Sequence, residues 1–469
     1  MSKGILCLIL PVFFLVNTGA SQDSTRILTP ERVISFINKN YPEIRNQQLS
    51  IAQAEAGVTM AKAAFEPKLK SSYKNKFSDD KNYYTLFTSE MSVFTPLGIS
   101  LKSGYQENTG LFLNPENQLT NEASWYAGLS LPLGQGLFTN KFSTQKNLAQ
   151  LNNSMSRLNL ALTKNELIMT GLMQYWKWVD AYNTLQVYQN GLELASTRLN
   201  ALKTGVNIGE IAPIDTVEAY TQVLNRKMDL LKWENKAWQE QLKLYQFLWN
   251  DSLNPSEIPE DAQPSVIIRL NNNLTSFLPE LPVFDDTTIV NHPLMKQYEI
   301  KNQELAVKQR WNKEQLKPIA NVEYNWLSNQ PRYREWEELG ANYSWGARFA
   351  FPLFVRKARS KIAITKLAME QNRFSQSFAQ TKLSNQADIY KQQLEINIQQ
   401  LQQLTEMVSA YQQLVTGEQK KFDLGESSIF LINTRENKLF EAQSKLIHKL
   451  IEGHLSYVAL MASLGRYAE

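Results

Sequence analysis

The sequence predicts a mixed α/β chain, internally duplicated, in which amphipathic strands feed helices too long for a globular domain. Three observations carry this. First, residues 342–351 alternate. Tyr343, Trp345, Ala347, Phe349 and Phe351 fall on one side, and Asn342, Ser344, Gly346, Arg348 and Ala350 on the other. That is the period of a strand with one apolar and one polar face. Second, no proline or glycine follows Pro352 until Gly417, and the run from Phe354 to about Lys421 is rich in Lys, Ala, Leu, Gln and Glu. These are good helix formers, and at ~1.5 Å per residue such a helix is about 100 Å long. Third, the design is written twice. The stretch Ser124-Trp125-Tyr126-Ala127-Gly128-Leu129-Ser130-Leu131-Pro132-Leu133 matches Ser344 to Leu353 at Ser, Trp, Ala, Pro and Leu, with an offset of 220. Tyr41-Pro42, Pro67 and Tyr73 correspond to His292-Pro293, Pro318 and Tyr324 at an offset of 251, and Ile208-Gly209-Glu210 corresponds to Leu424-Gly425-Glu426. The repeated unit reads helix, strand, loop, strand, very long helix, glycine turn, helix.

In chain order, residues 1–20 read as a secretory signal, with Lys3 as the charged region, Ile5 to Val16 as the apolar core and Thr18-Gly19-Ala20 as the small-residue cleavage site. The apolar run is too short for a membrane-spanning helix. The sole cysteine, Cys7, lies inside this segment. A mature chain without it has neither disulfides nor thiol catalysis. Removing Lys3 leaves 48 basic against 45 acidic residues, a net charge of +3. No basic block stands out, so nucleic acid is not a favoured partner. No later apolar run reaches about 18 residues, so a membrane role has to come through strands. The expected division is 21–250 for the first unit, with strands at about 67–133 and a helical hairpin at about 137–250. A connector follows at 251–291. The second unit is 292–469, with strands at about 318–353 and a hairpin at about 354–466.

Residues 29–65 are expected as the first helix, opened by Thr29-Pro30-Glu31. Ile44, Ile51, Ala54 and Val58 share one face, and Pro67 ends it. Next, Leu69, Ser71, Tyr73 and Phe77 alternate with Lys68, Lys70, Ser72, Lys74 and Lys76. So many lysines fit a strand with one face in water, either a sheet exterior or a barrel lumen. Phe87, Met91 and Val93 alternate with Thr88, Glu90 and Ser92. After a turn at Pro96-Leu97-Gly98, Ile99, Leu101 and Tyr105 alternate with Ser100, Lys102 and Gln106. This hairpin, at about 84–108, has no counterpart in the second unit, where the loop from about Ser328 to Gly340 is short and charged. One rod runs from Leu137 to Lys203 and reverses over Gly205 to Gly209 into a shorter partner from Ile214 to Trp249. The connector is marked by Pro255, Pro259, Pro264, Pro279, Pro282 and Asn271-Asn272-Asn273. In the second unit, Val322, Tyr324 and Trp326 alternate with Asn321, Glu323 and Asn325.

Several chemistries fall away. His448 and His454 are six apart, not at the spacing of a metal pair, and His292 is remote from both in sequence. There is no phosphate-loop pattern and no Gly-x-Ser-x-Gly elbow, so no catalytic residue or cofactor site is assigned. Carboxylates on long helices read as a solvated face. Trp125, Trp326 and Trp345, on strands with a polar opposite side, suit a lipid-interface girdle.

The duplicated Ser-Trp…Pro-Leu strand ends, the long helices behind them and the glycine tips together resemble the TolC-like outer-membrane efflux protein family, over essentially the whole mature chain. Gly209 with Asp215 fits that family's tip pattern. At the second tip Gly425 fits, but the position six later is Leu431, and Thr434 stands nine later. The resemblance implies long antiparallel helices forming a periplasmic α-barrel and strands forming a shared outer-membrane β-barrel in a homotrimer. Four strands from each copy would give twelve. The hairpin at about 84–108 adds two strands per copy that either widen the barrel to eighteen or extend it beyond the membrane, and the lack of a matching pair in the second repeat favours extension. Tyr73, Trp125, Tyr324, Trp326, Tyr343, Trp345 and Phe349 would then face lipid. Lys68, Lys70, Lys74, Lys76, Glu323 and Arg348 would line the lumen. Gly209, Glu210, Asp215, Gly425 and Glu426 would meet a periplasmic adaptor that links the channel to an inner-membrane transporter. The Gln-rich stretch Gln393 to Gln403 suits helices beside a water-filled tunnel. The implied function is a passive exit duct of a tripartite efflux or type I secretion system in a Gram-negative outer membrane. Its cargo is left open among drugs, metal ions and polypeptides. The competing reading is a periplasmic helical-hairpin spacer without channel activity.

Overall fold

The structure, a computed structural model, describes residues 27–468 apart from 120–121, 253, 256–261, 266–267, 269–277 and 329–341. The expected signal segment with Cys7, Pro259, Asn271-Asn272-Asn273 and the charged loop after Ser328 lie outside the described residues. Two compact units share the chain. One takes the described residues of 27–44, 164–282 and 388–462; the other takes those of 45–163, 283–387 and 463–468.

Elements follow the order β1 (Ile27–Leu28), α1 (Pro30–Asn40), α2 (Pro42–Lys62), β2 (Lys68–Ser78), β3 (Lys81–Phe94), β4 (Ser100–Thr109), β5 (Ala123–Pro132), α3 (Lys141–Asn207) and α4 (Pro213–Tyr245). Then come β6 (Gln263–Pro264), α5 (Asp286–Val290), α6 (Pro293–Glu314), β7 (Ile319–Ser328), β8 (Tyr343–Ala350), α7 (Arg356–Asp423) and α8 (Ile429–Ser463). The two rods are 67 and 68 residues long, and their partners 33 and 35. Both hairpins therefore pair a long helix with one half its length. The single helix expected over 29–65 is instead two. Pro42 has no N–H to continue the ladder and forces Tyr41 into extended backbone, φ −62° and ψ 128°. Thr29 caps α1 through its side chain, which accepts from the Arg32 N–H at 3.3 Å.

The compact unit of 45–163, 283–387 and 463–468 holds the sheet. Its six strands are antiparallel in the order β2-β3-β4-β5-β7-β8. The sequence expectation of four strands per chain, with a separate extending hairpin, is corrected here. β3 and β4 sit inside the sheet, between β2 and β5. Residues 85–92 of β3 pair with β2 on one side and β4 on the other. Asp79 and Asp80, at φ 51° and 55°, form the tight turn between β2 and β3. The turn between β3 and β4 is anchored at the start of α3. Asn140 accepts from the Ser143 N–H at 2.8 Å, and its amide donates to the Pro96 carbonyl at 2.8 Å. Close to the sheet, α6 and α7 join through Asn312 Nδ2 to Thr365 Oγ1 at 3.0 Å and Asn372 Nδ2 to the Tyr298 carbonyl at 3.1 Å.

The other compact unit holds the larger core. Tyr175, Trp178, Ile168, Leu244, Leu248, Leu394, Leu401, Ile429 and Ile432 are fully buried. Leu394 and Leu401, seven apart inside the Gln-rich stretch, mark the packed face of α7. A polar layer crosses this core. Arg198 on α3 makes a two-pronged pair with Glu436 on α8, at 2.7 and 2.5 Å. Gln222 and Arg226 on α4 both donate to Asn437 Oδ1, at 2.9 and 2.6 Å. The connector docks here. β6 pairs with β1, and the Ile268 N–H donates to Asn183 Oδ1 at 2.7 Å.

His454 on α8 stacks flat on Trp176, ring centroids 3.7 Å apart. Its Nε2 is buried with no hydrogen-bond partner among the described residues. Burial pushes this imidazole down to about 4. The unfolded chain therefore takes up a proton near pH 6.5 that the folded chain refuses until about 4, so stability is full above pH 6.5 and falls as pH drops through that window. His454→Phe keeps the stack and removes the titration. Its thermal midpoint in detergent should fall less steeply between pH 6.5 and 4 than that of the parent, the gap reaching roughly 3 kcal/mol at pH 4. Parallel curves would place the titration elsewhere.

Candidate functional site in the two-faced sheet and the hairpin tips

Cross-strand partners in a sheet share a face, so the register sorts the strand residues. Tyr73 pairs with Phe87, Tyr105 with Trp125, and Ala127 with Trp326. Leu129 pairs with Tyr324, Tyr324 with Trp345, Trp326 with Tyr343, and Ala320 with Phe349. The seven aromatics singled out from sequence therefore lie on one face. Tyr105 and Trp125 have ring centroids 5.0 Å apart, and Tyr324 and Tyr343 5.7 Å. Tyr73, Trp345 and Phe349 are 67%, 65% and 73% exposed. Alone, this sheet leaves large apolar side chains in water.

The opposite face is polar and predominantly cationic. Lys68, Lys70, Lys74 and Lys76 stand opposite Ser92, Glu90, Leu86 and Tyr84 of β3. Glu323 pairs with Ser130 and Gly346, and Arg348 with Asn321, on this same face. The six residues expected in a lumen thus share a surface. Sequence reading did not single out the network that ties this surface together. The Tyr126 hydroxyl donates to Glu90 Oε2 at 2.8 Å, its ring lying across Gly104, where an added Cβ would come within 2.6 Å of it. Lys102 on β4 reaches across β5 to an ion pair with Glu323 on β7. Alternation gave each residue's face, but only the register makes these groups neighbours.

The tips lie in the other unit and repeat the same backbone. At the first, the Gly209 N–H donates to the Val206 carbonyl at 3.0 Å and the Glu210 N–H to the Gly205 carbonyl at 3.0 Å. At the second, the Gly425 N–H reaches Phe422 at 2.9 Å and the Glu426 N–H reaches Lys421 at 2.8 Å. Each is a Schellman motif with glycine in the left-handed conformation, φ +77° and +75°. Gly205, expected within the turn, is still helical. Glu210 and Glu426 are exposed. Asp215 sits in the first turn of α4, where the helix dipole favours an acid. Where the second tip has Leu431, an acid comes from α7 instead. Glu418 accepts from the Ser427 hydroxyl at 2.6 Å and faces Arg435 at 3.6 Å. The Ser427 bond holds its carboxyl below the ordinary range. Sequence reading missed it because it precedes the glycine by seven residues. Both tips also expose apolar side chains beside the glycine, Ile208 and Ile214 at the first and Leu424 and Phe430 at the second. The tips pack together through Leu202, Val223 and Ile429, with Ile211 and Phe422 against them.

The histidines are structural. His292 caps α6 through Nδ1, which accepts from the Leu294 N–H at 3.1 Å. His448 contacts Asp180, whose hydrogen bond raises its imidazole pKa. Among the described residues, no helix is long and apolar enough to cross a membrane.

An added Cβ at Gly209 or at Gly417 would meet open space, so only backbone conformation separates the two positions. Gly209→Val should cost ~1–2 kcal/mol at the turn and speed amide exchange at residues 209 and 210 about tenfold. Gly417→Ala, inside α7, should stabilise by ~0.5–1 kcal/mol. Equal effects at both sites would mean that the left-handed turn is not under constraint.

Residues 33–248 match the family model described as Outer membrane efflux protein. No curated protein matches by sequence. Among solved structures, the chain is similar to the Campylobacter jejuni CmeC outer membrane channel, with TM-score 0.66 and 11% identity, covering 93% of this chain and 85% of that one. The open state of the Neisseria gonorrhoeae MtrE outer membrane channel gives TM-score 0.65 and 13% identity, over 93% and 88%. The outer membrane protein VceC of Vibrio cholerae gives 0.64 and 10%, over 93% and 96%. At these identities the structural likeness is one of fold. By sequence over residues 33–248 the chain is similar to the outer membrane efflux proteins, and over nearly its whole length it shares the fold of these solved channels.

Proposed function

We propose that this protein is the exit duct of a tripartite efflux or type I secretion system. It is anchored in the outer membrane of a Gram-negative cell by its strands and extends into the periplasm through its helices. The observation that carries the reading is the two-faced sheet. Seven aromatics on one face suit lipid, and a belt of lysines on the other suits water. A sheet with free edges cannot stand in hydrocarbon, so copies of the chain must close it. Three copies are what the resemblance to outer membrane efflux proteins implies. The duplicated units 21–250 and 292–469, joined by 251–291, each contribute strands to the wall and one hairpin to the periplasmic conduit. The protein holds no energy source in this reading. Transport follows the gradient or nucleotide used by an inner-membrane pump, reached through a periplasmic adaptor that meets the tips.

The reading is tested in planar bilayers. The purified protein alone should conduct ions passively and, because the lysine belt concentrates anions, should prefer them. Changing Lys68, Lys70, Lys74 and Lys76 together to Gln should remove that preference without closing the pore. Absence of conductance from correctly assembled protein would favour the spacer reading.

At the tips, Glu210→Lys combined with Glu426→Lys should leave folding and assembly intact and abolish efflux in cells. Unchanged efflux, with adaptor cross-linking at the tips preserved, would make these glutamates solvated cap residues only.

A further inference from the structure

We propose that the membrane wall is eighteen-stranded. Each copy contributes all six strands, and β8 of one copy pairs with β2 of the next. This rests on the three-copy duct described above, and it departs from the twelve strands that the family resemblance implies. The inserted hairpin β3–β4 is the reason.

Four features make the hairpin part of the wall. Its strands are paired on both sides along their length, β3 between β2 and β4, and β4 between β3 and β5. The two-faced pattern runs through it unbroken. Phe87, Met91, Val93, Leu101 and Tyr105 continue the apolar face, and Thr88, Glu90, Ser92, Lys102 and Gln106 continue the polar one. A hairpin projecting into water has no use for an apolar face. The polar face is also laced across strands, Tyr126 to Glu90 and Lys102 to Glu323, so β3 and β4 are each bound to strands beyond them. Finally, the Pro96 turn is held by Asn140 at the N-terminus of α3, which sets the hairpin level with β5 as it enters the helix.

The remaining edges fix the partner. Among the described residues no strand pairs with the outer edges of β2 and β8, and hydrocarbon tolerates no such edge. An even number of antiparallel strands leaves the first and last running in opposite directions, so β8 of one copy meets β2 of the next antiparallel. The apolar faces then join, with Leu69, Tyr73 and Phe77 beside Trp345 and Phe349. At a spacing of ~4.8 Å and a tilt of about 40°, eighteen strands give a backbone diameter of about 36 Å, against about 24 Å for twelve. The wider wall leaves an aqueous lumen of the kind found in large porins, so bulky solutes can pass.

The mature chain has no native cysteine by the sequence reading, so engineered pairs report cleanly. In the full-length protein in outer membranes, Ser72→Cys with Thr88→Cys, direct register partners, should form a disulfide. Ser72→Cys with Ser124→Cys, three strand spacings or ~14 Å apart, should not. The reverse result would place the hairpin outside the wall and overturn the proposal. Lys74→Cys, combined in turn with Ser344→Cys, Gly346→Cys and Arg348→Cys, should give covalent trimers for at least one partner. Absence from all three would overturn the seam. The mass of the detergent-solubilised assembly counts copies separately, so failure of the three-copy reading is distinguishable from failure of the six-strand wall.

Discussion

The constraint on which the rest depends is the row of unpaired N–H and C=O groups along β2 and β8. In water such edges are managed with charge, and β2 carries four lysines that would serve. But all four project to one face, while the other face of β2 offers Leu69, Tyr73 and Phe77. A charged strand built to repel neighbours would not carry so much apolar surface. The duct proposed above reconciles the combination: its apolar face would meet lipid, its lysines an aqueous lumen and its backbone edge another copy. Closure then follows from hydrogen-bond accounting.

The helices answer a different requirement. A rod of this length cannot be fixed in register by apolar contacts alone, because leucine and alanine layers slide with little penalty. The layer of Arg198, Glu436, Gln222, Arg226 and Asn437 supplies the missing specificity. A one-turn slip would strand a buried arginine and a buried carboxylate, and breaking such a pair costs ~3–5 kcal/mol. Arg226 adds a contact with the Phe440 ring, 4.2 Å from guanidinium to centroid, so its charge is partly compensated even where it is desolvated. The layer joins α3 and α4 to α8, holding the two hairpins to each other as a single bundle.

How much of this was legible depends on the range of the interaction. Alternation at period two is local, so the faces of Tyr73, Trp125, Tyr324 and Trp345 followed from sequence, as did the opposing lysines. The left-handed glycines at the tips were legible for the same reason. Pro42 is also a local signal, but Val33 and Ile37 before it and Ile44 after it are spaced four and seven apart and all buried, so the apolar pattern of one helix runs across the break and masks it. What sequence could not supply was register between distant strands. Nothing local says that Lys102 reaches Glu323, that Gly104 makes room for Tyr126, or that β3 and β4 enter between β2 and β5. The hairpin's lack of a counterpart in the second repeat argued for an appendage, but sheets lengthen by inserting hairpins without disturbing the antiparallel order on either side. Glu418 was missed because its partner Ser427 lies across the turn.

The two tips show where duplication has been held and where it has drifted. Each keeps a glycine at the single left-handed position, the same pair of backbone bonds and an exposed acid directly after the glycine. The glycine is costly to change, since any side chain with a Cβ strains the turn. The acid six residues on is not constrained in this way. Asp215 gains from a helix N-terminus; the matching place holds Leu431, and at that tip Glu418, held by Ser427 and Arg435, brings a carboxylate close to the turn. Charge at a solvated turn is a field effect, and a field can be supplied from a neighbouring helix, whereas a backbone angle can be supplied only by the residue that adopts it. At the tips, therefore, the backbone is repeated residue by residue and the charge only region by region.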